Sequence, residues 1–283
     1  MFILQRLINV IADLYMDLIF YSNYRPGLAY LLGMLSIVLI GGLTFYFSRR
    51  LQSLRFPLLR GIEGIDDLDR NVETAAETGK AVHFSLGTGS LGDGLTLQTL
   101  AGIDFMREMG LRTAAAGPPL VVTTSSALAL PIMESTVQNA YAETSGGIGF
   151  QPDNNRFIAP TPVAYAAGVM RVIADENIGF NVMVGSFGPE YLLMGEAGAR
   201  NDAKQLVAAA DPTVLPFVVA TADYPVIGEE LFALGSYLRP SPARIGSLIA
   251  QDAVRLVIVI LIVALTIAVS LDPDLGKRLG FGY

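Results

Sequence analysis

The stretch AVHFSLGTGSLG, residues 81–92, decides the predicted fold. Residues 81–87 form an apolar run of strand length, and residues 87–92 form a G-x-G-x-x-G turn. A helical stretch follows at residues 95–109. A strand that leads through a glycine turn into a helix is typical of the first unit of a parallel α/β sheet.

The same strand-then-helix pattern recurs along the chain. The strands are almost continuously apolar, as in sheets that are covered on both faces. We predict further strands over residues 119–124, 156–160, 178–185 and 214–221, followed by helices over residues 126–143, 162–176, 189–198 and 225–237. Right-handed crossovers between them give a doubly wound, mostly parallel, Rossmann-like α/β domain over residues 81–240.

Two apolar stretches flank this domain. Residues 27–47 carry no charge, and residues 256–271 form a second apolar run that Ala253 and Val254 extend. About 20 apolar residues are needed to cross a hydrocarbon core of about 30 Å. The sequence therefore predicts transmembrane helices over residues 27–48 and 253–271.

The composition agrees with a membrane protein and excludes several kinds of site. The 283 residues are 52% hydrophobic and only 16% charged, whereas a soluble domain is about 25% charged. The absence of cysteine excludes disulfides, thiolate metal sites and cysteine nucleophiles. The single histidine, His83, cannot build a metal site alone, and we expect a satisfied core or interface group. We predict no catalytic residue, no metal site and no required cofactor.

The charged residues predict the orientation in a cell (inner) membrane. The inner flanks of the two spans carry Arg49, Arg50, Arg55, Arg60, Arg239, Arg244 and Arg255, and the outer flanks carry Arg6, Arg25, Lys277 and Arg278. The positive-inside rule then places the α/β domain in the cytoplasm and both termini outside. Residues 51–240 hold 11 basic and 21 acidic side chains, a net charge of −10. This balance excludes a nucleic-acid interface, which needs a basic face.

The remaining segments complete the predicted organisation. Residues 1–26 form an amphipathic segment whose polar stripe is Gln5, Asn9, Asp13 and Asp17. Such a helix lies in the membrane interface or packs against a neighbouring subunit. Residues 49–80 are predicted as an acidic linker with a helical part, residues 241–252 as a second linker, and residues 272–283 as a C-terminal tail.

The candidate ligand site lies at the carboxyl ends of the strands, where open α/β sheets bind their ligands. Its predicted residues are Gly87, Thr88, Gly89, Ser90, Gly92, Asp93, Thr123, Thr124, Gly185, Ser186, Gly188, Thr221 and Asp223. Two features oppose a dinucleotide: the second strand ends in threonine and not in an acidic residue, and Asp93 would repel a pyrophosphate. The alternative interpretation of residues 87–92 is a glycine turn that only reverses the chain.

Three stretches carry a resemblance to a protein family: GSFGPEYLLMGEAG at residues 185–198, YPVIGEELFALGSYL at residues 224–238, and IGSLIAQDAVR before the final span. Over residues 80–270 the chain resembles an uncharacterised family of bacterial and archaeal membrane proteins. The resemblance implies a Rossmann-like cytoplasmic domain between transmembrane segments. It implies no activity and no catalytic residues.

Three functions are consistent with these patterns. The first is a membrane-anchored structural or assembly protein that forms a homo-oligomer or joins other membrane subunits in the lipid bilayer. Its candidate packing face is the small-residue stripe of Gly33, Ser36 and Gly41. The alternative is a small-ligand or nucleotide-sensing module that uses the crevice at residues 87–92. A membrane-bound oxidoreductase or hydrolase is the least favoured, because no cation lies at the strand ends.

Overall fold

The computed structural model describes residues 26–51, 61–92 and 94–271. The predicted amphipathic segment before residue 26, residues 52–60 of the acidic linker, Asp93 and the tail at residues 272–283 lie outside the described residues. The chain divides into two compact units. We call Met1–Pro57 with Ser241–Tyr283 the helical unit, and Leu58–Pro240 the α/β unit.

The described elements alternate regularly between strands and helices within the α/β unit. In chain order they are α1 (Pro26–Leu51), α2 (Glu63–Asp66), α3 (Leu68–Glu77), β1 (Ala81–Gly87), α4 (Thr96–Ala116), β2 (Leu120–Thr124), α5 (Leu130–Ser145), a 3-10 turn (Pro152–Asn154), β3 (Asn155–Phe157), α6 (Pro162–Asp175), β4 (Ile178–Ser186), α7 (Tyr191–Arg200), β5 (Lys204–Ala209), α8 (Leu215–Thr221), β6 (Tyr224–Ile227), α9 (Glu230–Leu238) and α10 (Pro242–Leu271).

The strands form one six-stranded sheet in the order β3-β2-β1-β4-β5-β6, and every neighbouring pair is parallel. The order reverses between β1 and β4, which is the arrangement of a dinucleotide-binding fold. In register, Phe84 of β1 lies opposite Val122 of β2 and Val182 of β4. The predicted α/β class with a parallel sheet is confirmed.

Alternate residues of each strand supply two cores, one on each face of the sheet. Val82, Phe84 and Leu86 of β1 join the core under α3, α4, α5 and α9. The ring of Phe84 stacks on Phe105 of α4 with 6.2 Å between ring centroids. The opposite face carries Met183 of β4 against α6, α7 and α8. Burial on both faces explains why the strands read as continuous apolar runs.

The second half of the sheet differs from the prediction. Residues 214–221, predicted as a strand, are almost all helical in α8, where Pro216 occupies the first turn. The chain forms β5 at Lys204–Ala209 and β6 at Tyr224–Ile227 instead. Pro225, predicted to begin a helix, lies in β6, and an edge strand tolerates proline because one side of its backbone needs no partner.

The helical unit contains α1 and α10. Residues 242–252, predicted as a linker, are helical, because α10 begins at Pro242. A Cβ added at Gly246 of α10 would lie 2.8 Å from the backbone nitrogen of Ser48 in α1, so the two backbones approach closely there. Among the described residues, one stretch, Pro242–Ala264, is long and apolar enough to cross a membrane by length and composition. A span in α1 stays a prediction.

Candidate functional site

The reversal of strand order brings two predicted loops together. Gly87, at the end of β1, lies in register with Ser186, at the end of β4. The loops at residues 87–92 and 185–188 therefore lie side by side at the carboxyl edge of the sheet. This is the position at which open α/β sheets bind ligands.

Hydrogen bonds close these loops onto each other. The backbone N–H of Thr88 donates to the carbonyl of Ser186 at 2.8 Å, and the N–H of Ser125 donates to the carbonyl of Gly87 at 3.2 Å. The Glu190 carboxylate accepts from the N–H of Gly188 at 2.8 Å, and the Thr88 hydroxyl lies 3.4 Å from the same oxygen. A carboxylate thus occupies a backbone donor that a bound phosphate would otherwise use.

Gly87 and Gly89 are needed because other parts of the protein pack closely against them. A Cβ at Gly87, where φ is +78°, would lie 2.0 Å from the carbonyl oxygen of Ser186. A Cβ at Gly89 would lie 2.6 Å from Thr99 Oγ1 and 2.9 Å from Ser186 Cβ. In a dinucleotide site the second glycine leaves room for the pyrophosphate. Here protein atoms fill that room, which favours the interpretation as a glycine turn.

Three of the remaining predicted residues, Ser90, Gly92 and Thr124, form hydrogen bonds at this edge of the sheet. Ser90 and Ser126 share a hydrogen bond between their hydroxyls at 3.0 Å, and Thr124 Oγ1 accepts from the N–H of Ser126 at 3.0 Å. The N–H of Gly92 donates to Thr96 Oγ1 at 2.8 Å. Asp93 lies outside the described residues.

The structure does not bring Thr221 and Asp223 to the carboxyl edge. Both precede β6, because residues 215–221 form α8 and not a strand. Asp223 accepts from the backbone N–H of Gln205 at 2.9 Å and forms an ion pair with Lys204 at 2.8 Å, where β5 begins. These four residues line a cavity of about 450 Å³ at the opposite edge of the sheet. Asp202 also lines this cavity, so its charged side chains are two carboxylates and one lysine.

Sequence reasoning missed a buried polar row that crosses the sheet. Its six side chains come from four strands and from α6, and all are buried with at most 1% of their surface exposed. The members of this polar row are His83, Ser85, Thr123, Tyr165, Asn181 and Gln205. Polar residues at positions 83 and 85 of an apolar strand share one face. The alternation of His83 and Ser85 with apolar residues in this strand could have predicted a polar face of the sheet.

Two backbone carbonyls fix the direction of hydrogen bonding through the row. The side-chain Nε2 of Gln205 donates to the carbonyls of Gly195 and Thr221 at 3.0 and 2.9 Å. Gln205 Oε1 therefore accepts from Asn181 Nδ2 at 3.0 Å. Asn181 Oδ1 in turn accepts from Nδ1–H of His83 at 2.7 Å. The neutral Nδ1–H tautomer of His83 follows from this sequence of donors.

The row continues from His83 to the glycine turn. With Nδ1 protonated, His83 Nε2 accepts from the Thr123 hydroxyl at 2.9 Å. The Tyr165 hydroxyl lies 3.0 Å from Thr123 Oγ1 and 2.7 Å from Ser85 Oγ. Ser85 Oγ accepts from the N–H of Gly87 at 3.2 Å. The polar row thus supports the loop at the carboxyl edge from beneath.

Burial shifts the two titratable groups of the row towards their neutral forms. Loss of solvent lowers the pKa of His83 from 6.5 to about 4, while the hydrogen bond that His83 donates to Asn181 opposes this and the charge of Arg156 adds to it. Loss of solvent also raises the pKa of Tyr165 to about 12. Both groups are therefore neutral near pH 7. This geometry agrees with the expectation of a satisfied core histidine.

A buried ion-pair cluster stabilises the other face of the α/β unit. Glu108 of α4 is 7% exposed and lies 3.0 Å from Arg112 and 2.5 Å from Arg239, which follows α9. Arg112 also pairs with Asp69 of α3 at 2.6 Å. The cluster ties three elements of the unit together. No group of three or more potential metal-ligating side chains is found in the part of the chain that the structure describes.

These features define the class of protein: the chain contains a Rossmann-like α/β unit with a six-stranded parallel sheet. Residues 27–278 match the family described as a domain of unknown function, DUF6754, and the chain belongs to this family. An uncharacterised family was the expectation from the resemblance. No curated protein and no solved structure matches the chain.

Proposed function

We propose that this chain is a membrane-anchored assembly protein. In this proposal α1 and α10 cross the cell (inner) membrane, and the α/β unit lies in the cytoplasm. The chain forms a homo-oligomer or joins a larger membrane complex through its helices and its α/β unit.

The observation that carries the proposal is the exposure of the helical unit. The large apolar side chains of residues 34–40 in α1 are 42–71% exposed, and those of residues 256–263 in α10 are 47–62% exposed. Water-soluble proteins do not leave apolar surface of this extent to solvent, whereas lipid or another subunit would cover it. Arg49 and Arg50 lie in the last turn of α1. By the positive-inside rule, this end of the helix would face the cytoplasm.

The closed crevice supports assembly over ligand sensing. The backbone donors of Thr88 and Gly188 and the space beside Gly89 are occupied by the protein itself. The Glu190 carboxylate adds a negative charge there, which opposes a nucleotide phosphate.

The small-residue stripe of α1 gives the first test. A Cβ at Gly33, Gly41 or Gly42 would meet no atom of this chain within 4 Å, so these positions are open to a neighbour. We expect Gly41→Leu to weaken self-association in mild detergent by about tenfold, because leucine prevents close helix approach. Native mass spectrometry and sedimentation of the purified chain measure the effect.

Gly42→Leu is the matched control, because residue 42 lies about 180° around the helix from residue 33. It adds the same side chain to an equally open glycine and should leave association unchanged. A wild-type chain that is monomeric and free of copurifying subunits in mild detergent would refute the proposed function.

The proposed topology has its own test. The chain has no cysteine, so Thr78→Cys, in the exposed turn after α3, introduces a unique thiol. A membrane-impermeant maleimide should label it only after the membrane is permeabilised. Ser22→Cys, before the first predicted span, should be labelled in intact cells. Labelling of residue 78 from outside intact cells would contradict the cytoplasmic placement.

A further inference from the structure

The first turns of three helices carry an exposed apolar surface, which we call the carboxyl-edge strip. Its side chains are between 38% and 69% exposed. They are Leu95, Leu97 and Leu100 at the start of α4, Leu128 and Ile132 at the start of α5, and Phe232 at the start of α9. Large exposed apolar surface on a domain with a well-packed core marks an interaction site.

The members of the carboxyl-edge strip belong to neighbouring elements. Helix α4 packs against both α5 and α9. The loops that lead into α4 and α5 are joined by the hydrogen bond between Ser90 and Ser126. Because α4, α5 and α9 follow the parallel strands β1, β2 and β6, their first turns all lie at the carboxyl edge of the sheet.

The charge around the strip has one sign. Residues 88–100, 125–134 and 228–232, which contain the strip, include no lysine or arginine. The acidic side chains of Glu134, Glu229 and Glu230 lie among them. Neither Glu134 nor Glu230 forms a salt bridge with a described residue. A partner that supplies positive charge is therefore favoured.

The α/β unit of a second copy of this chain offers little free positive charge. Within the described part of the unit, Lys204 and every arginine already pair with an acidic side chain. These arginines are Arg70, Arg107, Arg112, Arg156, Arg171, Arg200 and Arg239. Lys80 forms no salt bridge with a described residue, but it directly precedes β1 and so lies at the opposite edge of the sheet. Two strips facing each other would also oppose their glutamates. An anionic lipid surface is repelled by the same glutamates.

We propose that the carboxyl-edge strip binds a basic amphipathic helix of a different protein. The apolar face of that helix would cover the leucines of α4 and α5, and its lysine or arginine side chains would lie against Glu134 and Glu230. This inference rests on the proposed assembly function, and it assigns the contact with a second kind of subunit to the α/β unit.

The test uses the full chain in zwitterionic detergent and a fluorescent peptide of leucine and lysine, about 18 residues long and amphipathic as a helix. Fluorescence anisotropy, corrected for binding to protein-free micelles, should show saturable binding. A peptide with glutamate in place of lysine should bind at least about tenfold more weakly. Equal binding of the two peptides, or no binding of the lysine peptide, would overturn the proposal.

Two variants locate the contact. Leu97→Ser combined with Leu128→Ser should weaken binding of the lysine peptide by about tenfold or more, because two exposed leucines no longer bury apolar surface against the peptide. Glu134→Gln combined with Glu230→Gln should weaken it and reduce its dependence on salt. Ile148→Ser is the matched control, since Ile148 is 80% exposed and lies outside the strip. Circular dichroism checks that each variant is folded.

Peptide binding that the strip variants leave unchanged would also overturn the inference. The peptide-binding result is independent of the oligomeric state that native mass spectrometry and sedimentation measure. A chain that assembles but does not bind the lysine peptide refutes the strip and leaves the proposed function standing. A chain that is monomeric and free of copurifying subunits refutes the proposed function whatever the peptide does.

Discussion

Gly87→Ala should lower the free energy of unfolding of the α/β unit by about 3 kcal/mol or more. A left-handed φ of +78° costs a residue with a Cβ about 1–2 kcal/mol. The added Cβ would also lie 2.0 Å from the carbonyl oxygen of Ser186, and overpacking of this kind costs about 1–3 kcal/mol. Urea denaturation of the purified chain, followed by circular dichroism, measures the loss.

Gly92→Ala separates the two contributions. Gly92 has a φ of +95° but no atom within 4 Å of an added Cβ, so it should lose only the backbone part, about 1–2 kcal/mol. The difference between the two variants reports how tightly the β1 and β4 loops close. Equal losses would mean that the loops are apart in solution, and the crevice would then be open to a ligand.

The stability of the α/β unit should fall by about 3 kcal/mol through His83 alone as the pH is lowered from 6.5 to 4. Each unit of pKa difference between the folded and unfolded chain corresponds to about 1.4 kcal/mol. The folded pKa of His83 is about 4 and its usual value is 6.5. The unfolded chain therefore takes up the proton first, so this stabilisation is complete above pH 6.5 and is lost as the pH falls towards 4.

The control for this prediction is His83→Gln, which keeps a hydrogen-bonding amide and removes the titrating ring. Carboxylates also titrate in this range, so the comparison uses the difference between wild type and variant at each pH. The wild type should lose about 3 kcal/mol more than the variant between pH 6.5 and 4. Parallel stability curves for the two chains would show that His83 is not buried as a neutral group.

The first half of the fold could be predicted because local signals agreed there. The strand of residues 81–87, its glycine turn and the following helix all appear in the structure. The second half could not, because residues 214–221 combine valines that favour strands with Pro216, which suits a helical first turn. The strand β5 was missed because it begins with the polar residues Lys204 and Gln205, although it pairs on both sides, with β4 and β6.

The candidate site was also predicted only in part, because its residues come from both halves of the fold. The loops at residues 87–92 and 185–188 do lie together, because the adjacent strands β1 and β4 end there. Thr221 and Asp223 do not lie with these loops. Residues 214–221 were predicted as a strand that ends at Thr221, but they form α8, so both residues lie before β6 at the opposite edge of the sheet. The strip leucines, Leu97 and Leu128, looked like ordinary helix residues, since a sequence does not show which apolar side chains stay exposed.

The sequence by itself determined the α/β class, the parallel sheet and the pairing of a glycine turn with the end of β1, because these depend on short-range periodicity and on backbone freedom. Only the tertiary structure decided that Ser186 fills the space beside Gly87 and Gly89. It also decided that His83, Asn181 and Gln205 form one directed row. These contacts join residues about 25 to 100 positions apart, and their geometry follows from strand order and register, which local patterns do not encode.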